Sequence, residues 1–290
     1  MVDVSETVKE IQQKYGIIGR SEELRKMILA RNSAKNILIE GDVGVGKTTI
    51  AKALASHYDS NFFRIDCSEE TLPHNLVGFF DPPLAISNGY TEESYIYGPL
   101  TKAMLKGGCL FINEINRMPE NTQNSLLTSL DERIIDIPKL GVIKAKNNFF
   151  VIATQNPAAH IGVTVLGEAL KDRFIWIKLE YQNPDEEILI IKKEASLNDP
   201  EGEKIAEIAQ KIVQLSRESS SLRRGSSIRG AIDLADIISR TGNSKSTKEW
   251  IETSIMSLHN KIELEDGITR TKSEVISEIV LAVLNKTDFQ

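Results

Sequence analysis

Gly41-Asp-Val-Gly-Val-Gly-Lys-Thr48 follows directly on Asn36-Ile-Leu-Ile-Glu40 and runs into the alanine-rich stretch that ends at Tyr58. The short apolar run bounded by a glycine predicts a buried strand, and Gly46 to Tyr58 predicts a helix. Between them the pattern G-x-x-x-x-G-K-[ST] has the strand before it and the helix after it that a phosphate-binding loop requires. Glycines let the backbone curl around a phosphate, whose charge then meets converging N–H groups and the positive end of the helix. The reading makes Gly41, Asp42, Val43, Gly44, Val45, Gly46, Lys47, Thr48 and Thr49 a nucleotide-binding loop. Lys47 is expected to reach the β and γ phosphates of ATP, and the Thr48 hydroxyl to ligate Mg2+.

Working outward, the order strand–loop–helix recurs. Phe62 to Cys67, Cys109 to Asn113, Phe149 to Thr154 and Phe174 to Leu179 read as further strands, with helical stretches between most of them. That alternation predicts an α/β fold, a five-stranded parallel sheet with helices on both faces. Met1 to Gly16 reads as an arm or short helix, and Ser21 to Arg31 as a helix with Ser21 as its N-cap. Two insertions interrupt the rhythm: Gly78 to Tyr97, rich in Gly, Pro, Ser and aromatics, reads as a loop, and Arg133 to Lys146 as a hairpin. Beyond Tyr181-Gln-Asn-Pro184 only helical patterns remain. The expected organisation is therefore a nucleotide-binding core over 1–182 (insert about 78–97, hairpin about 133–146) and an all-α C-terminal lid over 183–290. Ser216 to Ser227 reads as a mobile loop.

The composition bounds the partners. The 290 residues are 41% hydrophobic and 26% charged, enough to bury a core, and the net charge of −6 argues against a dedicated nucleic-acid binder. Cys67 and Cys109 lie inside apolar runs and read as buried free thiols of a reducing compartment. No apolar run approaches about 18 residues, so no membrane insertion is expected and a cytoplasmic location follows.

Five further positions carry candidate chemistry. Leu110-Phe-Ile-Asn-Glu114 closes an apolar strand on Asn113 and Glu114. Next to a phosphate loop, the first such residue serves the metal's shell and the second polarises the attacking water. Asn113 offers only a neutral amide oxygen to the metal, whereas Glu114 is available as the base. Asn156, at the end of the fourth strand, points into the crevice where parallel sheets bind ligands and can orient the water. Arg173 could reach ATP on a neighbouring subunit, and Arg229 could reach the phosphates within its own chain.

The order of these motifs resembles the MoxR family of AAA+ ATPases from about Tyr15 to Asn285. The most specific stretches are Gly41–Thr48, Tyr97-Gly-Pro-Leu100, Asn113-Glu-Ile-Asn-Arg117, Val151-Ile-Ala-Thr-Gln-Asn-Pro157 and Asp172-Arg-Phe174. The resemblance implies that Gly41–Thr48 is Walker A, Asn113 and Glu114 Walker B, Asn156 sensor 1, Arg173 the arginine finger and Arg229 sensor 2. It also implies that Ile17 and Ile18, in Ile17-Ile-Gly-Arg20, line the adenine pocket, and that Gly78–Tyr97 and Arg133–Lys146 are the helix-2 insert and pre-sensor hairpin. Such proteins form hexameric homo-oligomeric rings, bind ATP and ADP, and remodel or activate client proteins, often ones with a von Willebrand factor A domain. The chain departs from the pattern at Asn113, where the family usually has Asp, and at Ile228, where it often has Pro. After Arg229 the match is loose, around Leu258-His-Asn-Lys261.

Two alternatives stay open. With Asn113 in place of Asp, ATP could set ring assembly while hydrolysis is slow or absent, making the protein a scaffold. Related rings act on nucleic acid as helicases or serve metal chelatases, and Lys139, Lys144 and Lys146 on the hairpin could face a pore. Like charges on a hairpin are more commonly a solvated face. The aromatics Phe79, Phe80, Tyr90, Tyr95 and Tyr97 could form a client surface, with local packing of the insert as the plainer reading.

Overall fold

The computed structural model describes residues 3–157, 166–241 and 246–285. Two compact units emerge, the first made of Met1–Asp42 and Gly46–Glu180, the second of Val43–Val45 and Tyr181–Gln290. Among the described residues no helix is long and apolar enough to cross a membrane.

The first unit is built on five strands: β1 (Asn36–Glu40), β2 (Phe62–Asp66), β3 (Cys109–Asn113), β4 (Phe150–Gln155) and β5 (Phe174–Lys178). They pair in the order β2-β3-β4-β1-β5, and every pairing is parallel. This is the expected α/β sheet, with strand ends moved by one residue. Ile37–Ile39, Leu110–Ile112 and Val151–Ala153 are buried, because a parallel strand covered on both faces is apolar on both faces. At the carboxyl ends register sets polar residues side by side, Asp66 beside Asn113 and Glu40 beside Gln155. The loop after β1 and the ends of β3 and β4 therefore share one edge of the sheet, where open α/β sheets bind ligands. At the other side β5 ends the sheet, with Ile175 44% and Trp176 55% exposed on it.

Three local expectations change. Residue Ser21 is not the N-cap: Arg20 is, in the left-handed region at φ 62°, without a side-chain cap bond. The Ser21 hydroxyl instead accepts a hydrogen bond from Gln12 Nε2 at 2.9 Å, and the N-terminal stretch is a full helix, Val4–Tyr15, capped by Asp3. The insert is not a plain loop. Gly78–Phe80 pairs antiparallel with Tyr95–Tyr97, and Asp81 caps a helix, Pro82–Asn88, by accepting the Leu84 N–H. An aspartate followed by prolines is a helix start, which the turn-rich composition concealed. Aromatic packing holds this insert together, Phe80 meeting Tyr90 and Tyr95 edge-on at 4.9 and 4.8 Å between ring centres. Residues Ile134–Ile137 and Gly141–Lys144 form an antiparallel hairpin.

The second unit packs helices Pro184–Glu194, Pro200–Glu218, Ile228–Arg240, Thr247–Leu258 and Lys272–Leu284 around Trp250, Ile212, Leu234 and Val280. The helical region fits the expected all-α lid, to which a two-stranded ribbon of Leu222–Arg224 and Glu263–Leu264 is added. Ser216–Ser227 is not a mobile loop. The long helix continues to Glu218, and the buried Ser216 hydroxyl accepts the Ser226 N–H at 2.9 Å. Arg217 donates to Glu187 at 2.8 Å and to the Ser226 carbonyl at 2.9 Å. Small polar residues here serve close backbone approach rather than disorder.

Both cysteines are free and buried. Burial pushes the Cys67 thiol up to about 12, with the Asp66 and Glu114 carboxylates adding to the effect, and burial raises Cys109 further. Iodoacetamide at pH 8 should leave both unmodified in the folded protein, roughly a thousandfold slower than an ordinary thiol, and modify both in urea. Mass spectrometry reads the outcome, and rapid labelling of the native chain would contradict this placement.

Candidate functional site

The loop after β1 owes its shape to two backbone positions. Gly44 and Gly46 have φ of 86° and 93°, where a Cβ is strained. A Cβ on Gly46 would meet nothing within 4 Å, so conformation alone demands glycine there. The loop begins with the Gly41 N–H donating to the Gln155 carbonyl of β4 at 3.3 Å. It ends at the helix Lys47–His57, whose N-cap Gly46 makes no side-chain cap bond, leaving first-turn N–H groups to bind an anion.

The Lys47 ammonium is buried. A buried cation needs acceptors, and Lys47 Nζ donates to the Gly41 carbonyl at 2.6 Å, the Asp42 carbonyl at 2.9 Å and Asn156 Oδ1 at 2.8 Å. The same Asn156 turns its amide nitrogen to Glu114 Oε1 at 3.3 Å, while its carbonyl accepts from Asn116 Nδ2 at 3.2 Å. Glu114 itself sits in the left-handed region at φ 56°, and its other oxygen pairs with Arg117 Nε at 2.8 Å. Lysine, asparagine and glutamate thus form one connected chain.

A second row runs across the strand ends. The Glu114 N–H donates to the Thr154 hydroxyl at 3.0 Å, that hydroxyl donates to Asn113 Oδ1 at 3.0 Å, and Asn113 Nδ2 donates to Asp66 Oδ1 at 2.9 Å. Beyond it, Arg64 grips Asp66 through Nε at 2.8 Å and a second nitrogen at 2.6 Å. That grip holds the Asp66 carboxyl below its ordinary value against a smaller opposing effect of burial, and the Asn113 hydrogen bond adds to the lowering.

The remaining positions lie as follows. Thr48 is half-buried on the first helical turn and Thr49 is exposed; Ile17 and Ile18 are half-buried, and the Ile17 N–H closes the preceding helix on Gln12. Arg173 is not drawn into the lysine–asparagine–glutamate chain. Its guanidinium meets Asp131 at 2.8 to 3.0 Å and the Ala169 carbonyl, and the Asp131 hydrogen bond raises its pKa. Arg229 belongs to the second unit, exposed in the first turn of Ile228–Arg240. Within that unit a Cβ on Gly44 would come 2.5 Å from Ser227 Oγ, so this glycine is required by crowding as well as by φ.

Sequence reasoning missed Asp66, Thr154 and the partners Asn116 and Arg117. Their signal was the common register of strands ending on polar residues, which no single strand displays. The residues present fit a magnesium-bound nucleoside triphosphate: an open glycine-rich turn, an uncapped helix start and a lysine held by carbonyl and amide oxygens. Among the described residues no group of three or more His, Cys, Asp or Glu could cage a metal.

Residues 36–174 match the sequence pattern of the AAA domain (dynein-related subfamily). An uncharacterised protein of Staphylococcus aureus (strain NCTC 8325) is 32% identical over 239 residues, covering 79% of this chain and 90% of its own length. A proposed ATPase of Cytophaga hutchinsonii superposes with a TM-score of 0.53 at 22% identity, over 96% of this chain and 94% of that one. A mutant RuvB of Thermotoga maritima gives 0.51 at 21% identity, over 94% and 71%. At these identities the solved structures speak for the fold.

Thr154→Val keeps the side-chain shape and removes the hydroxyl that joins Glu114 to Asn113. It should cost about 1–3 kcal/mol in urea unfolding, and an unchanged midpoint would show the row carries no weight.

Proposed function

Because the chain belongs to the AAA family, with the dynein-related type of domain at 36–174, we propose that it binds ATP with Mg2+ and hydrolyses it, in the manner of a MoxR-type ring. The observation that supports this most directly is the connection Lys47–Asn156–Glu114, with hydrogen bonds of 2.8 and 3.3 Å. It joins the group that would grip the terminal phosphates to the group that would act as base, through an amide able to orient a water. On this reading Gly41–Thr49 cradles the phosphates, and Ile17 and Ile18 cover the adenine. Bound Mg2+ would neutralise charge on the β and γ phosphates, with the Thr48 hydroxyl and the Asn113 amide oxygen on its side of the site. Glu114, once Arg117 yields, takes the proton of a water held by Asn156 for in-line attack. Arg173 from a neighbouring copy and Arg229 are the proposed cations for the charge that develops on the phosphoryl oxygens.

A ring of identical subunits, six by the resemblance, would turn this cycle into work on a client protein, for which one with a von Willebrand factor A domain is the proposed class. A second reading, the nucleotide-dependent scaffold, is favoured by one observation: Asn113 is neutral and its amide oxygen already accepts from Thr154 at 3.0 Å. Comparing phosphate release with that of Asn113→Asp separates the two. Similar rates favour the motor, and hydrolysis by Asn113→Asp alone favours the scaffold. Stimulation by DNA that vanishes at high salt would instead favour a nucleic-acid motor.

Calorimetry should show no heat of ATP binding for Lys47→Ala. Glu114→Gln should bind as the parent does while turnover falls about 10²–10⁴-fold. Arg173→Ala should bind ATP and lose turnover, and mixing it with Glu114→Gln should return some activity if the two residues meet across one interface. Unimpaired ATP binding by Lys47→Ala would remove the proposal.

A further inference from the structure

The end of β3 poses a charge problem. Where a carboxylate would face the metal's water shell, Asn113 places an amide, which can accept a hydrogen bond from a metal-bound water but brings no charge. The amide is also fixed in orientation, its nitrogen donating to Asp66 at 2.9 Å and its oxygen accepting from Thr154 at 3.0 Å. Asp66 and Asn113 are register partners at the ends of adjacent parallel strands. Register partners in a parallel pair project to the same face of a sheet, and neighbouring strands are about 4.8 Å apart. The carboxylate missing from position 113 is therefore present one strand over, in the same row.

We propose that Asp66 supplies the negative charge of the metal shell, acting through Asn113 as a positioning residue for magnesium-bound ATP. The proposal rests on the ATP-binding reading above. Arg64 already engages Asp66, but both side chains are partly exposed, 40% and 58%, and such pairs are weak. A divalent ion competes with Arg64 for this carboxylate, and Arg64 keeps the row neutral until the ion arrives. Asp66→Asn tests charge alone, because the new amide oxygen can still accept the Asn113 hydrogen bond.

The measurement is the affinity of the full chain for ATP in EDTA and in saturating Mg2+, by calorimetry, expressed as their ratio. Asp66→Asn should leave the EDTA affinity within about twofold and cut the magnesium ratio about tenfold, one carboxylate's share of a hard cation's shell. Asp66→Asn combined with Asn113→Asp, which moves the charge back by one strand, should restore the ratio. Asn113→Asp alone adds a second carboxylate to a row that has one and should change the ratio by less than about twofold. This variant decides the matter even if Asp66→Asn fails to fold. An unchanged ratio in Asp66→Asn, or a tenfold gain in Asn113→Asp, overturns the assignment of charge to Asp66 and leaves ATP binding standing. A parent protein that binds ATP in neither condition overturns both.

Discussion

A buried ammonium holds this site together. Lys47 cannot stay charged away from water without acceptors, and the acceptors it finds are two carbonyls of its own loop and the side chain of Asn156. The requirement is mutual. The loop's carbonyls turn inward to the cation, adding to the glycine conformations at 44 and 46, and through Asn156 the loop that follows β1 is tied to the end of β4. Loss of the charge would free the carbonyls and the amide together, so this interaction sets the geometry that everything else uses.

From that point polar groups are chained rather than scattered. Asn156 passes the constraint to Glu114, and Glu114 passes it through its backbone N–H to Thr154, Asn113 and Asp66. Three of these links join the ends of β3 and β4 and the fourth reaches β2, so the parallel register is what brings them together. The left-handed backbone at Glu114 lets the chain turn sharply off β3, presenting its carboxylate to Asn156 and Arg117 while its N–H stays on the row.

Much of this was legible in the residues. The strands that are apolar on both faces announce themselves as continuous runs, and the glycine spacing of 41–48 is readable because the φ values it serves exclude other residues. Pairwise relations were not legible. Asp66 reads as the polar end of an ordinary strand until β2 and β3 are set in register, and Arg117 as a surface charge until its partner is seen. The insert and the Ser216–Ser227 segment misled for one reason: Gly, Ser and Pro mark turns, helix caps and tight backbone contacts alike, and composition cannot separate these uses. Ser21 misled more narrowly, because the chain enters that helix through a left-handed Arg20 and spends the hydroxyl on Gln12 instead.

The sheet's last strand has a practical consequence. Among the described residues β5 pairs only with β1, and Ile175 and Trp176 on it are about half exposed. A bare rim of this kind is a template on which stray chains can add strands. Lys178, ion-paired with Glu180 at the strand's end, puts charge on that rim, though on one residue only. Solutions of the protein should accordingly cloud on storage sooner as they are concentrated, and indole fluorescence would register the onset because Trp176 is the side chain being covered.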